Sequence, residues 1–167
     1  MPLPSTYIPI ATNTLGSAAA SVTFSSIPAT YTDIVAVING GGSANINVSM
    51  QFNGDTASNY SITAVAGDGT TASSTRRTSQ TAMRLDENSY TGTTLAAANI
   101  IVSIMNYANT TTYKTVLSRS NNAAVGTSAI VGLWRATPAA INQVVINAIG
   151  GNWLTGSTFT LYGIKAA

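Results

Sequence analysis

Apolar and polar positions alternate with a period of two nearly everywhere that a run is long enough to measure, which is the signature of β-strands. In ANINVSMQF (44–52), Ile46, Val48, Met50 and Phe52 fall on one face and Asn45, Asn47, Ser49 and Gln51 on the other. NGD (53–55) then supplies turn chemistry, because Asn-Gly tolerates the positive φ angles of a tight hairpin. NYSITAV (59–65) puts Tyr60, Ile62 and Ala64 on one side and runs to Gly67-Asp68-Gly69, so the two runs together predict a β-hairpin.

Further strands are expected on both sides of this pair. SVTFSSI (21–27) stops at Pro28, and TDIVAVIN (32–39) is an apolar run of the kind buried on both faces, stopped by Gly40-Gly41-Gly42. NIIVSIMN (99–106), TYKTVLSR (112–119), SAIVGLWRA (128–136), INQVVINAI (141–149) and STFTLYGI (157–164) follow. They are joined by NYANTT, SNNAAVG, TPAA and GGNWLTG, all rich in turn-forming residues. The alanine-rich stretches AAAS (18–21) and LAAAN (95–99) are too short to nucleate helices. About nine or ten short strands at this spacing predict an all-β antiparallel β-sandwich of jelly-roll type, one domain over 16–167.

Two segments stand apart. Residues 1–15 contain Pro2, Pro4 and Pro9, each of which removes a ladder donor, so an extended N-terminal arm or edge strand is expected there. Residues 67–92 form a polar insertion that carries, besides Asp68 in its opening turn, Arg76, Arg77, Arg84, Asp86 and Glu87. Such an insertion is expected to be mobile or functional, with one short strand in AMRLDENSY placing Met83 and Leu85 inward.

Composition narrows the chemistry. Only 7% of the 167 residues are charged, against 45% hydrophobic, and 25 Thr, 18 Ser and 15 Asn take the place of the missing ions. There is no Cys and no His, so the usual thiolate nucleophile, general base and transition-metal ligands are absent. Asp55 and Asp68 flank the expected hairpin at opposite ends, which argues against a shared calcium site, and adjacent Asp86 and Glu87 point to opposite faces of an extended segment. Serine has no activating base and no G-x-S-x-G elbow, so the chain reads as non-enzymatic, without metal or cofactor. A net charge of +2 is too sparse for nucleic acid, and neither a signal peptide nor a membrane-spanning apolar run is expected, which places synthesis in a cytoplasm. A nearly uncharged Ser/Thr/Asn surface suits a protein that assembles with neighbours.

The candidate contact residues follow from these segments. Pro2, Pro4, Tyr7 and Pro9 mark the arm, and Arg76, Arg77 and Arg84 mark the insertion, where they would meet a negatively charged neighbour or stand in solvent. Trp134, Phe52 and Phe159 are expected in the core. Trp153, beside Asn152 in GGNWLTG, either offers a stacking platform for a glycan or folds back to plug the end of the sandwich, the plug being the favoured reading.

The phrases AAASVTFSSIPATYTDIVAV (18–37), QFNGDTASNYS (51–61), VGLWRAT (131–137) and GSTFTLYGIK (156–165) resemble a family of small virion-associated proteins encoded among the structural genes of tailed bacteriophages. The resemblance implies a β-sandwich exposed on the virion surface, without a shared catalytic residue set. It implies a capsid decoration (cement) protein bound to the major capsid protein as a homotrimer, or a tail- or fibre-associated module that binds a receptor or host glycan. The absence of a coiled-coil or repeat segment favours the first.

Overall fold

The computed structural model describes residues 6–87, 94 and 97–165. Among them are twelve strands: β1 (Tyr7–Thr14), β2 (Ser21–Phe24), β3 (Asp33–Gly40), β4 (Asn47–Phe52), β5 (Tyr60–Gly67), β6 (Ala72–Gln80), β7 (Met83–Arg84), β8 (Ala98–Met105), β9 (Lys114–Asn122), β10 (Gly126–Trp134), β11 (Val144–Ile149) and β12 (Thr158–Ile164). They form an eight-stranded sheet, β1-β12-β3-β8-β9-β10-β5-β6, and a four-stranded sheet, β2-β11-β4-β7. Every pairing is antiparallel, and no described residue is helical.

The inward positions of both sheets share one core, in keeping with a β-sandwich. Ile34, Ile38, Val102, Ile104, Phe159 and Leu161 come from the large sheet, and Val48, Met50, Phe52, Val144 and Ile146 from the small one. Their period-two spacing follows from successive side chains pointing to opposite faces of a strand. Three pairs nest inside one another: β3 with β12 in the large sheet, β4 with β11 in the small sheet, and β5 with β10 in the large sheet again. β8, β9 and β10 run as a meander that joins the first and third pairs into one sheet.

The expected hairpin over 44–65 is not formed. Asn53 and Gly54 adopt positive φ angles of 52° and 70°, as the Asn-Gly pair promised, but the chain then crosses from β4 in the small sheet to β5 in the large one. Side chains hold the crossing open. The Asn53 side chain donates to the Ala140 carbonyl at 2.8 Å and accepts from the Asn142 amide at 2.9 Å. Asp55 accepts from the Trp134 Nε1–H at 2.6 Å and the Asn59 amide group at 2.9 Å. β5 meanwhile takes β10 as its partner along eight residue pairs, more than the six residues of β4 could offer.

Tyr7–Thr14, within the stretch read as an arm or edge strand, form the edge strand β1 against β12, with an irregularity between Pro9 and Ala11 where the proline has no amide to donate. Pro2 and Pro4 lie outside the described residues. The first half of the polar 67–92 segment is strand β6, which pairs with β5 and forms the other edge of the large sheet. Its alternation was invisible because nearly every position faces solvent or the sandwich rim and is Ser, Thr, Gln or Arg. Met83 and Leu85 are fully buried, as expected, and residues 88–92 lie outside the described set.

Candidate functional site

Two arginines of the candidate contact set are committed to the chain's own carboxylates. Arg77 grips Glu87 through two hydrogen bonds, from Nε at 3.1 Å and Nη2 at 3.0 Å, in the planar geometry that makes Arg–carboxylate pairs specific. Glu87 itself is almost wholly buried, and its charge is tolerated because this fork meets both oxygens. Arg84 donates to the Asn47 side-chain oxygen and stands 3.7 Å from the buried Asp86, whose Oδ1 also accepts the Val48 amide at 2.9 Å. The neighbouring acids thus serve different arginines, and both are buried although they lie outside any strand. Around them Ser118 donates to the Leu85 carbonyl at 3.0 Å, and Ser120 and Ser128 share a 2.6 Å hydroxyl contact. These groups form a hydrogen-bonded polar layer under β9 and β10, in which Arg84 Nε is left without a partner among the described residues. Arg77 and Arg84 are thus engaged by the chain's own acids, Arg77 with 39% of its side chain still exposed, and Arg76, on β6, is exposed.

The Asp55 carboxylate is a second anchor. Burial pushes its pKa up, but hydrogen bonds from Trp134, Asn59 and the Ala57 amide outweigh that and hold it below the usual carboxylate value. Trp134 packs at 5.4 Å from Phe52 and stacks at 6.4 Å on Tyr60, so the crossing loop is fastened to an aromatic cluster. Among the described residues no group of three acids stands close enough to hold a metal ion.

Trp153 is 0% exposed and meets Phe159 edge to face at 5.1 Å. Bridges to Ala19 and Gly42 lock its backbone. The plug reading is the one the structure follows, and the glycan platform is corrected: a ring with no free face cannot stack on a sugar. Asn152 is exposed, with its amide donating to Ser43 Oγ at 3.0 Å.

What the strands do build is a broad outer face on the large sheet. Reading across the register, Tyr162, Val35, Ser103, Leu117, Val131, Thr63 and Arg76 form one row, and Thr160, Val37, Ile101, Arg119, Ala129, Val65 and Ser74 the next. Leu117, Val131 and Val65 are 52%, 54% and 59% exposed. Tyr7 reaches over this face, edge to face with Tyr162 at 6.1 Å. With Val35, Ile101, Leu117 and Arg119 it lines a depression of about 470 Å³. Large apolar groups scattered singly over a surface are ordinary; here several stand in adjacent rows of one sheet face.

Sequence reasoning missed this face because it placed a strand over 112–119 without assigning its faces, and burial there does not follow hydrophobicity. There Lys114, Val116, Ser118, Ser120 and Asn122 are buried, while Thr115, Leu117, Arg119 and Asn121 face out. The inward serines find partners in residues 85–87, Ser118 donating to the Leu85 carbonyl and Ser128, bonded to Ser120, accepting the Glu87 amide; Leu117 points outward by the same parity. The Leu-x-Arg spacing of Leu117 and Arg119 was the available signal. No family model, curated protein or solved structure matches the chain.

Proposed function

We propose that this chain is a non-enzymatic structural protein of a tailed-bacteriophage virion, a capsid decoration protein that binds the outer shell and stabilises it as a homotrimer at the virion surface. The observation that carries the reading is the outer face of the large sheet: partly apolar, otherwise mostly Ser, Thr and Asn with a few arginines, and thus able to be covered by a neighbour with few ions left to pair. The phrases quoted above support it, and the nested strand pairs are compatible with the jelly-roll form proposed for it. A trimer bridging several shell subunits gains by multivalency, since later contacts form within an already tethered complex.

The receptor- or glycan-binding alternative loses its proposed platform with the burial of Trp153. Heating purified shells with and without the protein tests the decoration reading, with release of the packaged contents as the readout. Protection is expected. Shells that fail at the same temperature in both cases, or protein that labels host cells and ignores shells, would overturn it. Removing residues 1–5 asks separately whether the extreme N-terminus takes part, without touching β1.

A further inference from the structure

The charges of the chain are divided unevenly between its interior and the outer face of the large sheet. All five acids are engaged within the chain. Asp86 and Glu87 are buried in the polar layer, and Asp55 holds Trp134. Asp68 caps its own turn through the Thr70 amide at 2.9 Å and the Thr71 amide at 2.6 Å. Asp33, at the β3 end of the face, accepts the Asn106 amide at 2.6 Å. The bases are not matched to them. Arg77 and Arg84 have acid partners, and Lys114 is buried on the carbonyls of Asn109 and Thr112 at 2.6 and 2.9 Å. Arg76, Arg119 and Arg135 form no ion pair among the described residues, and all three are exposed.

These three arginines stand on one half of the outer face, over β9, β10, β5 and β6. Arg76 and Arg135 line one depression together with Val131 and Leu133, and Arg119 lies in the row beside Leu117 and Val131. We infer that this half of the face is a docking surface for an acidic protein partner, one whose Asp and Glu side chains surround an apolar patch that seats on Leu117 and Val131. The inference deepens the decoration reading, on which it rests for the identity of that partner as the shell.

Charge complementarity selects the occupant. A second copy placed by a two-fold axis would oppose the same rows to themselves, bringing arginines toward arginines, with Asp68 in the β5–β6 turn as the one exposed acid at the border of that half. Three arginines separated by valine and leucine are too few and too apolar in setting for a phosphate backbone, which is met by dense Lys and Arg. Burying the apolar residues supplies affinity, and the arginines supply orientation and speed of encounter, which salt weakens.

The test uses the full chain on purified shells stripped of it, with Arg119→Glu/Arg135→Glu and Val131→Glu as variants and Thr23→Glu, exposed on β2, as the control; circular dichroism and melting verify the fold of each. Wild type is expected to bind more weakly as salt rises from about 0.05 to about 0.5 M, and the double charge reversal to weaken binding by about tenfold or more, with Thr23→Glu unchanged. Wild type and the arginine variants binding shells equally would overturn the inference and leave the decoration reading standing. Should wild type ignore shells, the decoration reading fails, and a synthetic extended peptide alternating Glu and Val becomes the deciding probe. Slowed amide exchange over 115–119 and 129–135 with that peptide, and none with its Lys-Val counterpart, supports the surface. No difference between the peptides overturns it, as does equal protection by duplex DNA. Self-association through this face that survives Arg119→Glu would also overturn it.

Discussion

The two tryptophans allow one chemical change to be made in two environments. Trp134 and Trp153 are both buried in the core, at 4% and 0% exposure, but their indole N–H groups differ. Trp134 donates to the Asp55 carboxylate at 2.6 Å, whereas Trp153 Nε1 has no hydrogen-bond partner among the described residues. Replacing either by Phe removes a comparable amount of packed ring, so that loss is similar at both sites. At Trp134 the change also removes a hydrogen bond to a charged acceptor, about 1.5–3 kcal/mol. At Trp153 it removes a donor that was desolvated without compensation, returning about 1–3 kcal/mol against the packing loss. Trp134→Phe should therefore be the more destabilising by at least about 2 kcal/mol, which at a urea m value of about 2 kcal/mol/M separates the midpoints by about 1 M. Equilibrium urea unfolding followed by fluorescence measures this directly, because each variant keeps the other tryptophan as its reporter. Equal midpoints, or a lower one for Trp153→Phe, would refute the assignment of the Trp134–Asp55 bond as the anchor of the crossing loop. A double-mutant cycle with Asp55→Ala should return about 1.5–3 kcal/mol of coupling at Trp134 and almost none at Trp153.

The Arg77–Glu87 pair should be asymmetric: Arg77→Ala leaves a carboxylate that is 2% exposed without its partner and should cost about 3 kcal/mol or more, while Glu87→Ala leaves an arginine that is 39% exposed and able to resolvate, costing clearly less in thermal unfolding. Burial pushes the Tyr60 hydroxyl up to about 12, well above its ordinary value. Because the folded pKa is raised, the stability it confers is complete below about pH 10 and is lost as pH rises from there through about 12. Urea midpoints across that range should fall, and the fall should be smaller in Tyr60→Phe. At Gly163, on β12, an added Cβ would land on the ring of Tyr31, so Gly163→Ala should cost about 1–3 kcal/mol by overpacking, measured by the same unfolding.

Strand positions were legible wherever one face of a strand meets the core, because alternation is then imposed by burial: β4, β10 and β12 show it plainly. Which face goes inward was legible only where the inward residues are apolar. β9 defeats that rule, since its inward Ser118 and Ser120 serve a polar layer whose acids come from a distant segment. β6 escaped notice because an edge strand of Ser, Thr and Arg buries little. Asn53-Gly54 correctly signalled positive φ, but a dipeptide specifies a local bend and says nothing about which sheet receives the next strand; Asp55 and Trp134, remote in sequence, decide that. The contact residues were half legible for the same reason. Arg76 is exposed as its polar surroundings implied, while Arg77 turns to Glu87, ten residues on, and Arg84 to nearby Asp86, pairings that the sequence permits but does not announce.

The nesting of the strand pairs sets the timetable of folding. Asp33 lies opposite Ile164, and Asn47 opposite Ile149, so neither β3 nor β4 can take its β12 or β11 partner until the chain has been made through those distant residues. Closing such long loops before any contact rewards it makes folding slow, in the range of milliseconds to seconds typical of sheet topologies with distant pairings. In the interval the apolar DIVAVIN segment of β3 waits without its final neighbour, and at synthesis rates of about 5–20 residues per second that wait lasts several seconds. Expression at lower temperature or with a holding chaperone should therefore raise the yield of folded protein more than any substitution on its surface.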